Sequence, residues 1–269
     1  MVSPLPMPRD LPVLPAPRVR ALLLLWNPDA TLEHFVSVAQ GDPALTAAVL
    51  RGANSASSAP IERVTRAQDA IVRLGFDRTK HIISAAVTRS QFEDIENSWI
   101  DAKEMWRHLV AVGLLAEAAT ETAEERTAAF TGGLLHDLGR LALAATNPGR
   151  YSRTVEMVRA GVEVMDAERQ TMGVTHTTWG ERVARHWGLP EPIIEAVAAH
   201  HEPAAGNLAA RLAEARRISW RLGIGDGVAT PGLDELAGDD EETPSALRVL
   251  GGLDGLMSRI RWYRQAFEG

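Results

Sequence analysis

The chain has 269 residues, of which 45% are hydrophobic, a net charge of −7 and no cysteine. A chain of this length buries about three quarters of its unfolded surface, so one large domain or two modest ones with a real core are expected. The acidic balance argues against a nucleic-acid or anionic-membrane binder, which would carry basic patches. The absence of cysteine excludes disulfides and thiolate metal sites.

Residues 1–18 hold six prolines and no basic segment feeding a long apolar run. No signal peptide is read there, and "ALLLLW" at 21–26 is too short to span a bilayer. A soluble cytoplasmic protein is expected. The proline-rich start, "LPMPRDLPVLPAPRV", is expected to lie extended against the body. From there the pattern is helical: Ala, Leu, Glu and Arg dominate, and apolar residues recur every three or four positions. "DATLEHFVSVAQ" is a helix capped near Asp29 or Thr31, and "DPALTAAVLRGANS" is one with Asp42 as N-cap and Pro43 at its first position. "RVTRAQDAIVRLG" ends at Gly75, which suits a left-handed C-cap, and "DRTKHIISAAVTRSQF" follows.

Longer helices are expected at about 98–120, 123–146, 149–171, 175–187, 190–200 and 205–223. "GIGDGVATPGLDELAGDDEETPS" is glycine-rich and acidic, and reads as a mobile, solvated loop. "SALRVLGGLDGLMSRIRWYRQAFEG" is a last amphipathic helix with Leu250, Leu253, Leu256, Met257 and Ile260 near one face. That face either covers the core or serves a partner. The expected organisation is a small helical lobe over 1–95, a larger one over 96–223, the acidic loop over 224–244 and the C-terminal helix over 245–269. The fold class is all-α, a small N-terminal helical lobe packed on a larger helical bundle.

Two polar side chains, His136 and Asp137, interrupt the apolar run "GGLLHDLGRLAL", and they are costly to bury without partners. Eight histidines are available. His34, His81 and His186 have local or structural readings. His108, His136, His176, His200 and His201 fall on or beside helices with apolar faces, far apart in sequence. Glu104 stands one helical turn before His108 on the same face. Helices that each deliver one or two imidazoles or carboxylates build a divalent-metal site, here with nitrogen and oxygen ligands suited to iron, manganese, zinc or magnesium. The other reading is a set of scattered structural histidines. The tryptophans at 106, 179, 187 and 220 read as packing, Gly132 and Gly133 as a close helix approach, and Asn54 as a capping or interface residue.

In their order along the chain, these short motifs resemble the HDOD family, a signalling-associated relative of the HD phosphohydrolases. The N-terminal part carries "LPVLP" at 11–15, "DPALTAAVLRGANS" at 42–55 and "AIVRLG" at 70–75. The larger part carries "WRH" at 106–108, "GGLLHDLGRL" at 132–141, His176 with "WG" at 179–180, "HWGLPEPI" at 186–193 and "HH" at 200–201. The resemblance implies a metal held by His108, His136 and Asp137, with Glu104, His176, His200 and His201 completing the set found in bimetallic cyclic-di-GMP phosphodiesterase relatives. It also implies a later aspartate ligand, but "EARRISWRLG" places Arg216 there; a slip of one turn would bring in Glu214, and Asp226 lies further on. The lysine that follows the doublet in those relatives is Arg140, which could clamp phosphate. The "GYP" loop has no counterpart in "HHEPAAGN".

Three functions follow from these readings. The first is a non-catalytic signalling module acting through protein partners. The second is a metal-dependent phosphohydrolase of a nucleotide or cyclic-di-GMP, with an imidazole or Glu202 moving the proton. The third is a sensor of a nucleotide or metal. The first is preferred, with no catalytic residues assigned.

Overall fold

Every element among the described residues is helical, in accord with the all-α expectation. The computed structural model describes residues 14–55, 63–92, 95, 98–229 and 244–267. Five helices come first: α1 (Ala16–Leu24), α2 (Leu32–Gln40), α3 (Pro43–Asn54), α4 (Ala67–Leu74) and α5 (Phe76–Arg89). The helix α1 begins inside the segment expected to be extended. Its first turn carries Pro17, where a missing N–H leaves no bond unmade; residues 1–13 of that segment lie outside the described residues. Thr31 caps α2, accepting from His34 N while His34 Nδ1 accepts from Thr31 N. This gives His34 a local role in a capping box. Asp42 caps α3 through Ala44 N and Leu45 N. Gly75 ends α4 at φ 76°, ψ 178°, a positive φ outside the left-handed helical region.

The larger helices are α6 (Ala102–Ala118), α7 (Ala123–Leu135), α8 (Leu138–Thr146), α9 (Pro148–Arg159), α10 (Val164–Met172), α11 (His176–His186), α12 (Glu191–Ala199) and α13 (Leu208–Arg221). Two helices follow, the short α14 (Ser245–Val249) and the long α15 (Gly252–Phe267). Three spans expected as single helices are therefore broken. The span 123–146 divides at His136–Asp137, and 149–171 divides near Gly161, whose φ is 93°. The C-terminal span divides at Gly251 and Gly252, both at positive φ. Periodicity alone does not show such breaks, because the apolar pattern runs through them.

One buried apolar cluster runs from Leu14 to Tyr263 and joins the early helices to the late ones. The helix α15 faces it with Leu256, Ile260 and Tyr263. Its end is tied to α3 by Arg51 Nε donating to Ala266 O, and Phe267 packs edge-on against Trp106 at 5.6 Å. That face covers the core; Leu253, expected on it, is 46% exposed. Asn54 returns the chain locally, its side chain exchanging two hydrogen bonds with the backbone of Val64. Residues Ile224 to Val228 are buried, unlike the solvated loop expected for the span; 230–243 lie outside the described residues. No helix among the described residues is long and apolar enough to cross a membrane.

Candidate metal centre

Two backbone crossings set up the centre, and both depend on glycine. On α7, a Cβ at Gly133 would stand 2.3 Å from Gly113 Cα, so α6 and α7 touch backbone to backbone. On α8, a Cβ at Gly139 would stand 1.9 Å from His176 O, and Gly180 faces Gly139 across the same crossing. These contacts bring α6, α8 and α11 close enough for short polar side chains to meet. The chain bends between α7 and α8 at His136 and Asp137, and both side chains turn inward, fully buried.

Around Asp137 the structure brings together His108, His136, His176, His200 and His201. His136 Nε2 lies 3.3 Å from Asp137 Oδ2, while His176 Nε2 and His200 Nε2 lie 3.4 and 3.6 Å from Oδ1. His108 joins through His136, with ring centroids 5.3 Å apart. His201 joins through His176, Nε2 to Nε2 at 3.1 Å. Two groups of potential ligand atoms result: His176, His200 and His201, and His108, His136 and Asp137. Asp137 stands between them.

Glu104 is not in the cluster. It is a third exposed and pairs with Arg107 at 3.2 Å, so sharing a helix face with His108 did not carry it inward. Glu202 is exposed. Trp106, Trp179 and Trp187 are buried in the core, consistent with packing.

Two further carboxylates belong to the centre: Glu168, which the pattern did not mark, and Asp226, noted only as an aspartate lying beyond Arg216. Glu168 of α10 is fully buried and accepts from His176 Nδ1 at 2.7 Å, from His176 N at 2.7 Å and from the Tyr151 hydroxyl at 2.8 Å. Asp226 comes from the glycine-rich segment and accepts from Arg140 Nη1 at 2.6 Å and from Val228 N and Ala229 N. The sequence signal for Asp226 was an aspartate between two glycines, hidden within an acidic run. For Glu168 the signal was an acidic residue on an otherwise core-facing turn.

The hydrogen bonds fix the imidazole tautomers. His136 Nδ1 lies 2.7 Å from Gly133 O and His200 Nδ1 lies 2.9 Å from Val197 O. A carbonyl can only accept, so both Nδ1 atoms carry the proton. Glu168 imposes the same tautomer on His176. Ser219 Oγ donates to Ile224 O and so accepts from His108 Nδ1, at 3.1 Å. Four unprotonated Nε2 atoms therefore face inward; His108 Nε2, His136 Nε2 and both Asp137 oxygens have no hydrogen-bond partner, while His176 Nε2 is within reach of His201 Nε2 as a donor at 3.1 Å. His176 Nε2 stands 3.3 Å from His200 Nε2, lone pair toward lone pair. Such an arrangement is repulsive unless a cation sits among the nitrogens. Metal-bound imidazoles are commonly oriented this way, by acceptors at the far nitrogen. The donor set fits a divalent ion, and the protein has His/Asp groups able to hold one.

The charges follow the same geometry. Burial pushes His108 down to about 3, assisted by His136, and burial also lowers His200 and His201. These imidazoles are neutral and available as ligands. Burial would raise Asp137, but the Arg140 guanidinium and His136 hold it well below the usual carboxylate range. Asp226 behaves likewise: Arg140 overrides burial and sets it at about 2. Arg140 is fully buried, bonded through Nη1 to Asp226 and 3.5 Å through Nη2 from Asp137 Oδ1; its Nε and Nη2 have no hydrogen-bond partner, and burial keeps it away from a phosphate in solvent. Arg216 of α13 acts electrostatically on His108, His200, His201 and Asp137. Burial lowers its pKa against the opposing pull of Asp137, and its Nε has no partner. The cation expected from the sequence at the position of a ligand does stand beside the cluster.

An all-α bundle that buries a His-Asp doublet among histidines from three further helical segments is an HD-like domain. The family profile of the HDOD domain matches residues 11–203, and the chain belongs to that family. Its fold is similar to that of an HDOD domain protein of unknown function from Geobacter sulfurreducens (TM-score 0.74, 22% identity, covering 96% of this chain and 93% of that one). It is also similar to a candidate phosphohydrolase from Shewanella amazonensis SB2B (TM-score 0.70, 23% identity, 96% and 93% covered). A third likeness is to a candidate signal transduction protein from Marinobacter aquaeolei VT8 (TM-score 0.67, 24% identity, 94% and 60% covered). A curated relative, an uncharacterised protein of Treponema pallidum (strain Nichols), is 25% identical over 198 residues, 71% of this chain. This chain spans 38% of that relative's length.

Proposed function

We propose that this chain is a regulatory HDOD module whose His/Asp centre holds a single divalent ion and turns over no phosphoester. The observation that carries the reading is Arg216 beside the ligand cluster. With neutral imidazoles, three buried carboxylates (Asp137, Glu168 and Asp226) and two guanidiniums (Arg140 and Arg216) leave one net negative charge. One divalent ion turns that −1 into +1. Two ions would crowd a large positive charge into a space with little water to screen it. The ligands proposed are His108, His136, Asp137, His176, His200 and His201, with iron, manganese or zinc suited to the nitrogen and oxygen donors.

A bound ion would supply Lewis acidity and a lowered water pKa. The residues that would complete phosphoester hydrolysis are absent from the arrangement: Arg140 is buried against Asp137 and Asp226, and Glu202 is exposed. Misplaced charge at such a centre costs several kcal/mol of transition-state stabilisation. The likeness to a candidate signal transduction protein supports a signalling role, with protein partners as its output. The division into lobes over 1–95 and 96–223, and a cytoplasmic location, belong to the same proposal.

The competing reading is a phosphohydrolase, and the bare Nε2 atoms favour it, since a catalytic ion would need them equally. The test is a metal-reconstituted assay with cyclic-di-GMP and several nucleotides, comparing wild type with Asp137→Ala and Arg216→Asp. Regulation predicts no wild-type turnover. Wild-type turnover abolished by Asp137→Ala would establish the phosphohydrolase.

A further inference from the structure

Away from the metal centre, a trough runs between α5, α6 and α15 as two adjoining chambers of about 280 and 270 Å³. Leu114, Glu117 and Arg259 line both, so the chambers share one wall. We propose that this trough binds a small phosphorylated molecule bearing a planar ring, the chemistry of a nucleoside mono- or diphosphate.

Charge is the first argument. Arg78, Arg126 and Arg259 converge on the trough, and each faces solvent. None makes an ion pair or hydrogen bond among the described residues, although both Arg126 and Arg259 act electrostatically on Glu117. Elsewhere some exposed arginines, such as Arg185 and Arg217, are paired to glutamates and others are not; what sets the trough apart is that three arginines gather on it in a chain whose net charge is −7. Three uncommitted guanidiniums around one trough make a local excess of positive charge, and guanidinium forks suit phosphate oxygens.

The floor supplies the second argument. The Tyr263 hydroxyl lies 3.2 Å from His81 Nδ1, and His81 Nε2 lies 3.4 Å from Glu117 Oε1. His81 stacks on Phe130 at 4.0 Å, which holds its edge toward the trough. Burial pushes His81 down to about 3 and Glu117 up to about 7, so His81 is neutral and Glu117 is protonated in about half of the molecules at neutral pH and in more of them below it. A protonated Glu117 donates where an ionised one would repel an anion. The third argument is the ring surface: Trp262 lines the first chamber, set edge-on to Tyr263 and tethered by Nε1 to Ser55 Oγ. An aromatic wall, a polar floor and a cationic rim match a heterocycle joined to phosphate. Because the walls come from both ends of the chain, occupancy would bear on how α5 and α15 pack on α6.

The test is isothermal titration of the full chain with AMP, GMP, ADP and GDP, with inorganic phosphate and guanosine as controls. At least one nucleotide should saturate, with guanosine and phosphate at least tenfold weaker. The double variant Arg78→Glu/Arg259→Glu should lose at least tenfold while melting as wild type does. Chelator-treated wild type and His200→Ala should bind as well as wild type, which separates this trough from the metal centre. Absence of saturable nucleotide binding would overturn the proposal. So would equal binding of guanosine or phosphate, or loss in His200→Ala without loss in the arginine variant.

Discussion

Two buried histidine sites in this molecule differ in where the second ring nitrogen goes. At the metal centre His108, His136, His176 and His200 each commit Nδ1 to an acceptor and leave Nε2 bare, facing other bare nitrogens and Asp137. In the trough His81 commits both nitrogens, one to the Tyr263 hydroxyl and one toward Glu117. Burial pushes His108, His200 and His201 at the first site and His81 at the second toward the neutral form. The first is complete only with a cation; the second already satisfies its histidine. Burial of a histidine therefore says little about its role until the partner of each nitrogen is known.

The largest expected effect breaks the first site. Asp137→Ala leaves Arg140 with a reduced set of anions in a fully buried position and should cost about 3–5 kcal/mol, read by chemical unfolding. It should also abolish metal retention. Gly139→Ala tests the crossing that positions His176: its Cβ would strike His176 O. The expected cost is about 1–3 kcal/mol, with reduced metal content; full stability and full metal content would show that the crossing does not set the site.

Glu117 sharpens the contrast through pH. Its folded pKa of about 7 lies above its ordinary 4.5. The stability it confers is therefore complete below about pH 4.5 and is lost as pH rises through about 7. Glu117→Gln should remove that dependence and leave the protein roughly 1–3 kcal/mol more stable than wild type at pH 8, seen in melts across pH 5–8. The smallest effect is Tyr263→Phe, which removes the hydroxyl from His81 and should cost about 1 kcal/mol. It should leave metal content untouched.

The fold was largely legible because capping and periodicity are local. Asp42 and Thr31 mark helix starts through bonds to residues two or three positions away, and the structure has those bonds. The helix breaks at Gly161 and Gly251–Gly252 were not legible, since glycine permits a break without requiring one. All six residues expected as ligands lie in the cluster, because the motif order carried information that no single histidine did. Glu104 was drawn in by helical spacing and by the resemblance to bimetallic relatives, and here it pairs with Arg107 outside the cluster. Glu168 escaped notice, and Asp226 was noted only as an aspartate lying further on, because their roles depend on tertiary contacts, His176 for one and Arg140 for the other.

The central claim is that the bare Nε2 atoms and Asp137 hold one divalent ion beside Arg216. Elemental analysis of protein purified without chelator tests it most directly, with wild type, Asp137→Ala and His200→Ala measured together. About one divalent ion per wild-type chain, lost in both variants, is the predicted result. Less than a tenth of an ion per wild-type chain after reconstitution, or two ions per chain, would contradict it.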